Sequence, residues 1–287
     1  MPTLETVYDP AWLDDQYNNR TRIPEHPQIF ERWRRESALS RAQTPCRLDL
    51  PYGDAPSETL DVFPASASGS PVLVFVHGGW WRAFDKSDHS FIAPSFVRDG
   101  AMVVLPNYAL CPAVSIEEIA LQTARALAWT WRNAALHGGD PRRIVVAGHS
   151  AGGHLATMLL CCDWSSVGAD LPSPLVRGAL SISGIYDLEP LRQTPFLNVD
   201  LRLTPRSVDR LSPAFFPAPR GPLHAVVGAL ESGEFQRQNA LIREAWGASV
   251  VPVCEAIPGM HHLGVLHDLA DASGRSHRLA LQLLGLA

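Results

Sequence analysis

The chain has 287 residues, enough for one large domain or two small ones, and its 46% hydrophobic content supplies a sizeable core, which excludes disorder over the whole length. Its 24 basic and 29 acidic residues leave a net charge of −5, so neither nucleic acid nor an anionic membrane has an electrostatic claim as the main partner. Proline is the compositional excess, at 24 residues against 21 glycines.

Residues 1–20 carry Glu5, Asp9, Asp14 and Asp15, with no basic or apolar stretch of the kind that opens a secretory signal. Apolar runs reach only about six residues, far below the roughly 20 that a membrane span needs. A soluble, cytoplasmic protein is the expectation. Residues 1–71 are punctuated by proline and mixed in polarity, with one helix predicted over 26–40, where Ile29, Phe30 and Trp33 share a face. They read as an arm packed on the rest.

From Pro71 the pattern changes. Residues 72–76 form a β-branched and aromatic run suited to a strand buried on both faces. Similar runs recur at 101–105, 144–147, 178–183, 224–228 and 249–254. Helical patterns lie between several of them, over 115–136, where Ser115 followed by Glu118 fits a capping box, and over 152–162. Strands alternating with helices predict an α/β fold with a mostly parallel sheet covered on both faces. Residues 187–222 break the alternation with a proline-rich stretch, expected to be an irregular lid-like insertion. The five cysteines lack CxxC spacing, so they suggest neither a disulfide framework nor a zinc site, and Cys161 and Cys162 are expected to pack in the core. No metal and no cofactor is implied.

The sharpest chemical signal is Gly148-His149-Ser150-Ala151-Gly152, between a predicted strand and a predicted helix. There a GxSxG pentapeptide makes a nucleophile elbow, a strained turn that exposes the serine hydroxyl above the sheet. The plain alternative is a small-residue turn for close helix packing. The second signal is His77-Gly78-Gly79-Trp80, directly after the strand at 72–76. Unobstructed N–H groups of Gly79 and Trp80, with Gly78 a further candidate, would join that of Ala151 in an oxyanion hole. His77 is expected to brace this loop rather than carry protons.

A serine hydroxyl needs a base, and the base needs an orienting carboxylate. The hydrolase order of serine, acid, histidine restricts both to positions after Ser150. Glu231, just past the strand at 224–228, is the first choice for the acid, with Glu234 as competitor. His262 is the first choice for the base, with its neighbour His261 as competitor. Trp80, Trp81, Tyr186, Phe196, Phe215 and Phe216 cluster near these motifs or in the insertion. Trp81, Tyr186, Phe196 and Phe215 are the candidates for an aromatic substrate pocket.

Taken together, His77-Gly78-Gly79-Trp80-Trp81, the elbow through Leu155, the stretch from Ser183 to Pro190, and Glu231-Ser232-Gly233-Glu234-Phe235 resemble the α/β-hydrolase kynurenine formamidases. The likeness runs from Tyr17-Asn18-Asn19-Arg20 to the histidine loop. It implies a single α/β-hydrolase domain over 1–287, with an arm and first strands in 1–70 and the insertion at 187–222. It also implies a triad of Ser150, Glu231 and His262, and hydrolysis of N-formylkynurenine in tryptophan catabolism, a small or aryl carboxylic ester being the alternative substrate. Two positions depart from that family: Glu231 stands where aspartate is usual, and Leu263 where phenylalanine commonly follows the histidine. A small-molecule substrate is the expected partner, and a homodimer stays open.

Overall fold

A computed structural model describes residues 8–287, so Glu5 and the rest of residues 1–7 of the segment read above as signal-free lie outside the described residues. One sheet holds eight strands: β1 (Arg47–Pro51), β2 (Thr59–Phe63), β3 (Ser70–Val76), β4 (Met102–Pro106), β5 (Gly139–His149), β6 (Val176–Ile182), β7 (Leu223–Gly228) and β8 (Val253–Ile257). Their order is β1-β2-β4-β3-β5-β6-β7-β8. Strands β3 to β8 run parallel, and β2 is antiparallel to both neighbours.

The helices are α1 (Pro10–Tyr17), α2 (Asn19–Arg22), α3 (His26–Gln43), α4 (Ala93–Arg98), α5 (Ile116–Asn133), α6 (Ala151–Leu160), α7 (Trp164–Val167), α8 (Glu189–Arg192), α9 (Pro195–Leu201), α10 (Pro205–Leu211), α11 (Gly233–Trp246), α12 (Val265–Ala270) and α13 (Arg275–Leu284). The two-sided burial expected of residues 72–76 follows from the pleat, which sends successive side chains to opposite faces. Val72, Val74 and Val76 of β3 enter one core with Leu127 of α5 and Leu155 of α6. Leu73 and Phe75 enter the other with Trp33 of α3, Phe96 of α4 and Leu279 of α13. Burying Trp33 and Tyr17, both essentially inaccessible, holds the arm down; each is worth about 2 to 3 kcal/mol of apolar transfer.

Three expectations are corrected. The strand placed at 249–254 begins at Val253. Gly247, at φ 76°, closes α11, the chain turns, and Pro252 has no N–H to give to a ladder. Val250 and Val251 are apolar for another reason: Val251 is fully buried, and the Val250 carbonyl accepts from the Leu223 N–H at 2.8 Å. Ser115 does cap α5, accepting from the Glu118 N–H at 3.2 Å, but the Glu118 carboxylate pairs with Arg125 instead of returning to Ser115, so half the box forms. The insertion at 187–222 is helical rather than irregular, comprising α8, α9, α10 and a 3₁₀ turn at Pro213–Phe215. Pro190, Pro195, Pro205 and Pro213 stand in the first turn of these elements, where an N–H has no intrahelical acceptor and its loss costs nothing. No helix among the described residues is long and apolar enough to cross a membrane.

Candidate active site

The carboxyl ends of β3, β5, β6 and β7, and the loop after β8, meet along one edge of the parallel sheet, where sites in α/β folds gather. A cavity of about 470 Å³ opens there, and Gly78, Gly79, Trp80, His149, Ser150 and His262 are among the residues that line it.

Ser150 stands between β5 and α6 with φ 57° and ψ −119°, a conformation that costs an L-residue energy and that the surroundings must impose. They do so through two glycines. A Cβ on Gly148 would lie 2.0 Å from the Gly152 carbonyl oxygen, and one on Gly152 would lie 2.0 Å from that of Val76, so strand, turn and helix could not close together otherwise. The Ser150 N–H donates to Ile182 at 2.8 Å, tying the elbow to β6. Ala151 is the first residue of α6, so its N–H has no acceptor within the helix and lies at the positive end of the helix dipole.

Facing the elbow, Gly79, Trp80 and Trp81 all have positive φ, at 108°, 53° and 53°. The turn is held by Arg82 N–H to Gly79 at 3.0 Å and Cys111 N–H to Trp81 at 2.7 Å. Among the described residues, the Gly79 and Trp80 N–H groups donate to nothing. Gly78 contributes room: a Cβ there would lie 2.7 Å from the His149 carbonyl oxygen and 3.1 Å from the Ser150 Cβ. His77 braces the loop, its buried ring stacked 4.2 Å from Tyr108 and its Nδ1 donating to the Gly78 carbonyl at 2.8 Å.

His262 Nδ1 donates to Glu231 Oε2 at 2.6 Å. The other oxygen, Oε1, accepts from the Gly228 N–H and the Ser183 hydroxyl, each at 2.6 Å. Three donors on a carboxylate with no side-chain exposure fix its direction. The imidazole lies between the rings of His149, at 4.7 Å, and Phe235, at 4.4 Å. His149 Nε2 also donates to the His262 carbonyl at 2.7 Å. His261 turns away, its Nδ1 accepting from the N–H groups of Leu263 and Gly264. Glu234 is likewise occupied elsewhere, paired with Arg237 at 2.7 Å and accepting from the Tyr17 hydroxyl at 2.6 Å.

Of the aromatic pocket candidates, Phe196 lines the cavity. Trp81 and Tyr186 do not, because both are fully buried, Trp81 edge-on to His154 and Tyr186 donating to the Ser181 hydroxyl. Phe215 is 63% exposed, carried outward by the 3₁₀ turn. The aromatic wall comes instead from Phe30 of the arm and Phe84 of the loop after β3, backed by the buried Trp33, which packs on both rings. Ser183 was not singled out from sequence, although its place at the end of a predicted strand beside the elbow's strand was a usable signal.

Four neighbouring imidazoles are buried and neutral. Burial pushes His77 down and His149 well down, His89 to about 3 and His154 to about 4. In the unfolded chain each would ionise near 6.5. Below that pH the unfolded state binds more protons than the native state, so stability falls as pH drops. His89 and His154 alone are expected to remove about 2 kcal/mol each between pH 7 and pH 5. Urea unfolding at the two pH values checks this: the midpoint should fall at pH 5, and an unchanged or higher midpoint would contradict the burial of these rings.

Residues 73–243 match a family described by its α/β hydrolase fold. The chain is 30% identical to a kynurenine formamidase of Danio rerio, an alignment covering 98% of this chain and 96% of that one. It is 31% identical to the esterase LipQ of Mycobacterium tuberculosis, covering 96% of this chain and 68% of that one. Among solved structures it superposes on a putative thioesterase from Silicibacter with a TM-score of 0.81 at 31% identity, over 92% of this chain and 96% of that one. A thermostable carboxylesterase from a metagenomic library, at 21% identity and a TM-score of 0.71, shares the fold over 91% of this chain and 95% of that one. With an elbow, a parallel sheet and full-length relatives in agreement, this chain belongs to the α/β-hydrolase family.

Proposed function

We propose that the protein is a serine hydrolase working through an acyl-enzyme, and that its substrate is an aryl formamide, N-formylkynurenine being the first choice. The observation that carries the mechanism is the site itself: Ser150 on a strained elbow, with His262 held by Glu231 on the same cavity and the undonated N–H groups of Gly79 and Trp80 opposite. Full-length likeness to a kynurenine formamidase supports the choice of substrate.

Ser150 Oγ attacks the formyl carbon while His262 Nε2 takes its proton, and the imidazolium that results is stabilised by Glu231. The oxyanion is held by the N–H groups of Gly79, Trp80 and Ala151, an effect worth about 3 to 4 kcal/mol per donor in studied cases. His262 then gives the proton to the anilide nitrogen, the C–N bond breaks, and the arylamine leaves. Water, deprotonated by the same imidazole, attacks formyl-Ser150 and releases formate. An amine leaves only when protonated, so a formamide demands more of His262 than an aryl ester does.

The test compares kcat/KM on N-formylkynurenine with that on phenyl acetate. The formamide is expected to be favoured by at least about tenfold, a transition-state difference of about 1.4 kcal/mol. A strong preference for the ester would defeat the substrate assignment and leave the acyl-enzyme mechanism intact.

A further inference from the structure

The arm does more than pack. Asn18, Asn19 and Arg20, at the junction of α1 and α2, line the same cavity as Ser150, together with Phe30 and Trp33 of α3. Of the other charged groups on that wall, Arg82 and Asp200 neutralise each other at 2.5 Å, and Arg82 also donates to the Phe196 carbonyl at 2.8 Å. Among the described residues Arg20 has no carboxylate partner; its guanidinium is exposed and lies 6.0 Å from the Phe30 ring centroid. Beside it, Asn19 Nδ2 is buried and donates to nothing among the described residues. A buried amide N–H without an acceptor costs free energy unless something else accepts from it. Next to these polar groups stands an aromatic surface, with Phe30 edge-on to Phe84 at 4.9 Å and 5.4 Å from Trp33.

We propose that this is the leaving-group subsite, and that it selects an aryl group bearing a free carboxylate, with Arg20 and Asn19 Nδ2 binding the carboxylate and Phe30 and Phe84, backed by Trp33, the ring. The assignment rests on the formamidase reading for the identity of the leaving group, and makes Arg20 a specificity-determining residue of that site. A guanidinium suits the task because it donates to both oxygens of a carboxylate from a planar fork. Placed at an exposed mouth, it also draws the anion in, a contribution that salt screens.

The test uses pairs that differ in the carboxylate alone: N-formylkynurenine against N-formylkynuramine as substrates, and kynurenine against kynuramine as ligands of the Ser150→Ala protein, measured by calorimetry. The parent enzyme should favour the carboxylate-bearing member of each pair by about tenfold. Arg20→Gln should abolish that preference, mainly through KM, and Arg20→Lys should keep part of it. Salt at 0.5 M should shrink the preference. Arg22→Gln, on the same short helix but paired with Asp15 and off the cavity wall, should leave the preference as it is. An Arg20→Gln protein that loses equally on both members of a pair, or a parent without preference in either pair, overturns the subsite. Absence of formamide turnover with the binding preference present defeats the formamidase reading and leaves the subsite standing; absence of binding to either ligand overturns the subsite.

Discussion

Replacing Ser150 with alanine is expected to lower kcat by about 10⁵- to 10⁶-fold, the loss found when a serine nucleophile of this kind is removed. Alanine keeps the Cβ, so the backbone strain at φ 57° is the same in both proteins, and the N–H bond to Ile182 that fixes the elbow is retained. The thermal midpoint should therefore move by no more than a few degrees, since Ser150 is buried but its hydroxyl has no hydrogen bond among the described residues, so its deletion leaves no partner unpaired. Turnover above water would persist, because the N–H groups of Gly79, Trp80 and Ala151 and the binding cavity remain. The measurement is kcat for the purified variant beside a thermal melt, with a fluorophosphonate label on both proteins. Comparable turnover, or labelling of the alanine variant, would remove Ser150 from the mechanism.

The features legible in the sequence are those set by short-range rules. A doubly buried strand is written as an unbroken apolar run, so β3, β4, β6 and β7 are legible to within two residues, whereas β5 opens five residues before its apolar run, with the more polar Gly139–Arg143. The elbow was readable because glycine is forced at Gly148 and Gly152 by contacts of 2.0 Å, which no other residue tolerates. The order rule then put Glu231 and His262 ahead of their neighbours, and the structure joins these two while turning His261 and Glu234 to other partners.

Long-range packing was not legible. Whether an aromatic residue faces the core or a cavity depends on which distant element covers it. Trp81 follows Trp80 in the chain, yet Trp80 lines the cavity and Trp81 is sealed against His154 of α6. Conversely, nothing local in the arm announces that Phe30 and Trp33 reach the site, because their contacts with Phe84 cross 53 and 50 intervening positions that hold the rest of α3 and three strands. The proline excess misled for a similar reason. In the insertion it points to irregular chain, but four of its prolines open helical turns, and the helix opened by Pro195 carries Phe196 and Asp200 on the cavity wall.

Glu231→Gln should lower kcat by about 10³- to 10⁴-fold at pH 7 with little change in KM, by the wrong-tautomer effect measured when a triad carboxylate becomes an amide. The bond pattern explains why the substitution leaves no good arrangement. Oε1 accepts from two donors, Gly228 N–H and the Ser183 hydroxyl, so the amide oxygen of glutamine must take that position. The amide NH₂ then faces His262 Nδ1, where the carboxylate now accepts. Nδ1 can meet a donor only as an acceptor, which moves the ring proton to Nε2, and a protonated Nε2 cannot take the Ser150 proton. Flipping the amide instead sets its NH₂ against two donors. Glu234→Gln has no such consequence for the imidazole. It weakens the pairing with Arg237 and the bond from Tyr17, so it should cost stability, about 1 to 3 kcal/mol, and at most a few-fold in kcat. Parallel kcat and urea-unfolding measurements on both variants separate these outcomes. A larger kcat loss for Glu234→Gln than for Glu231→Gln would transfer the acid role, whatever the distance between Glu231 and His262.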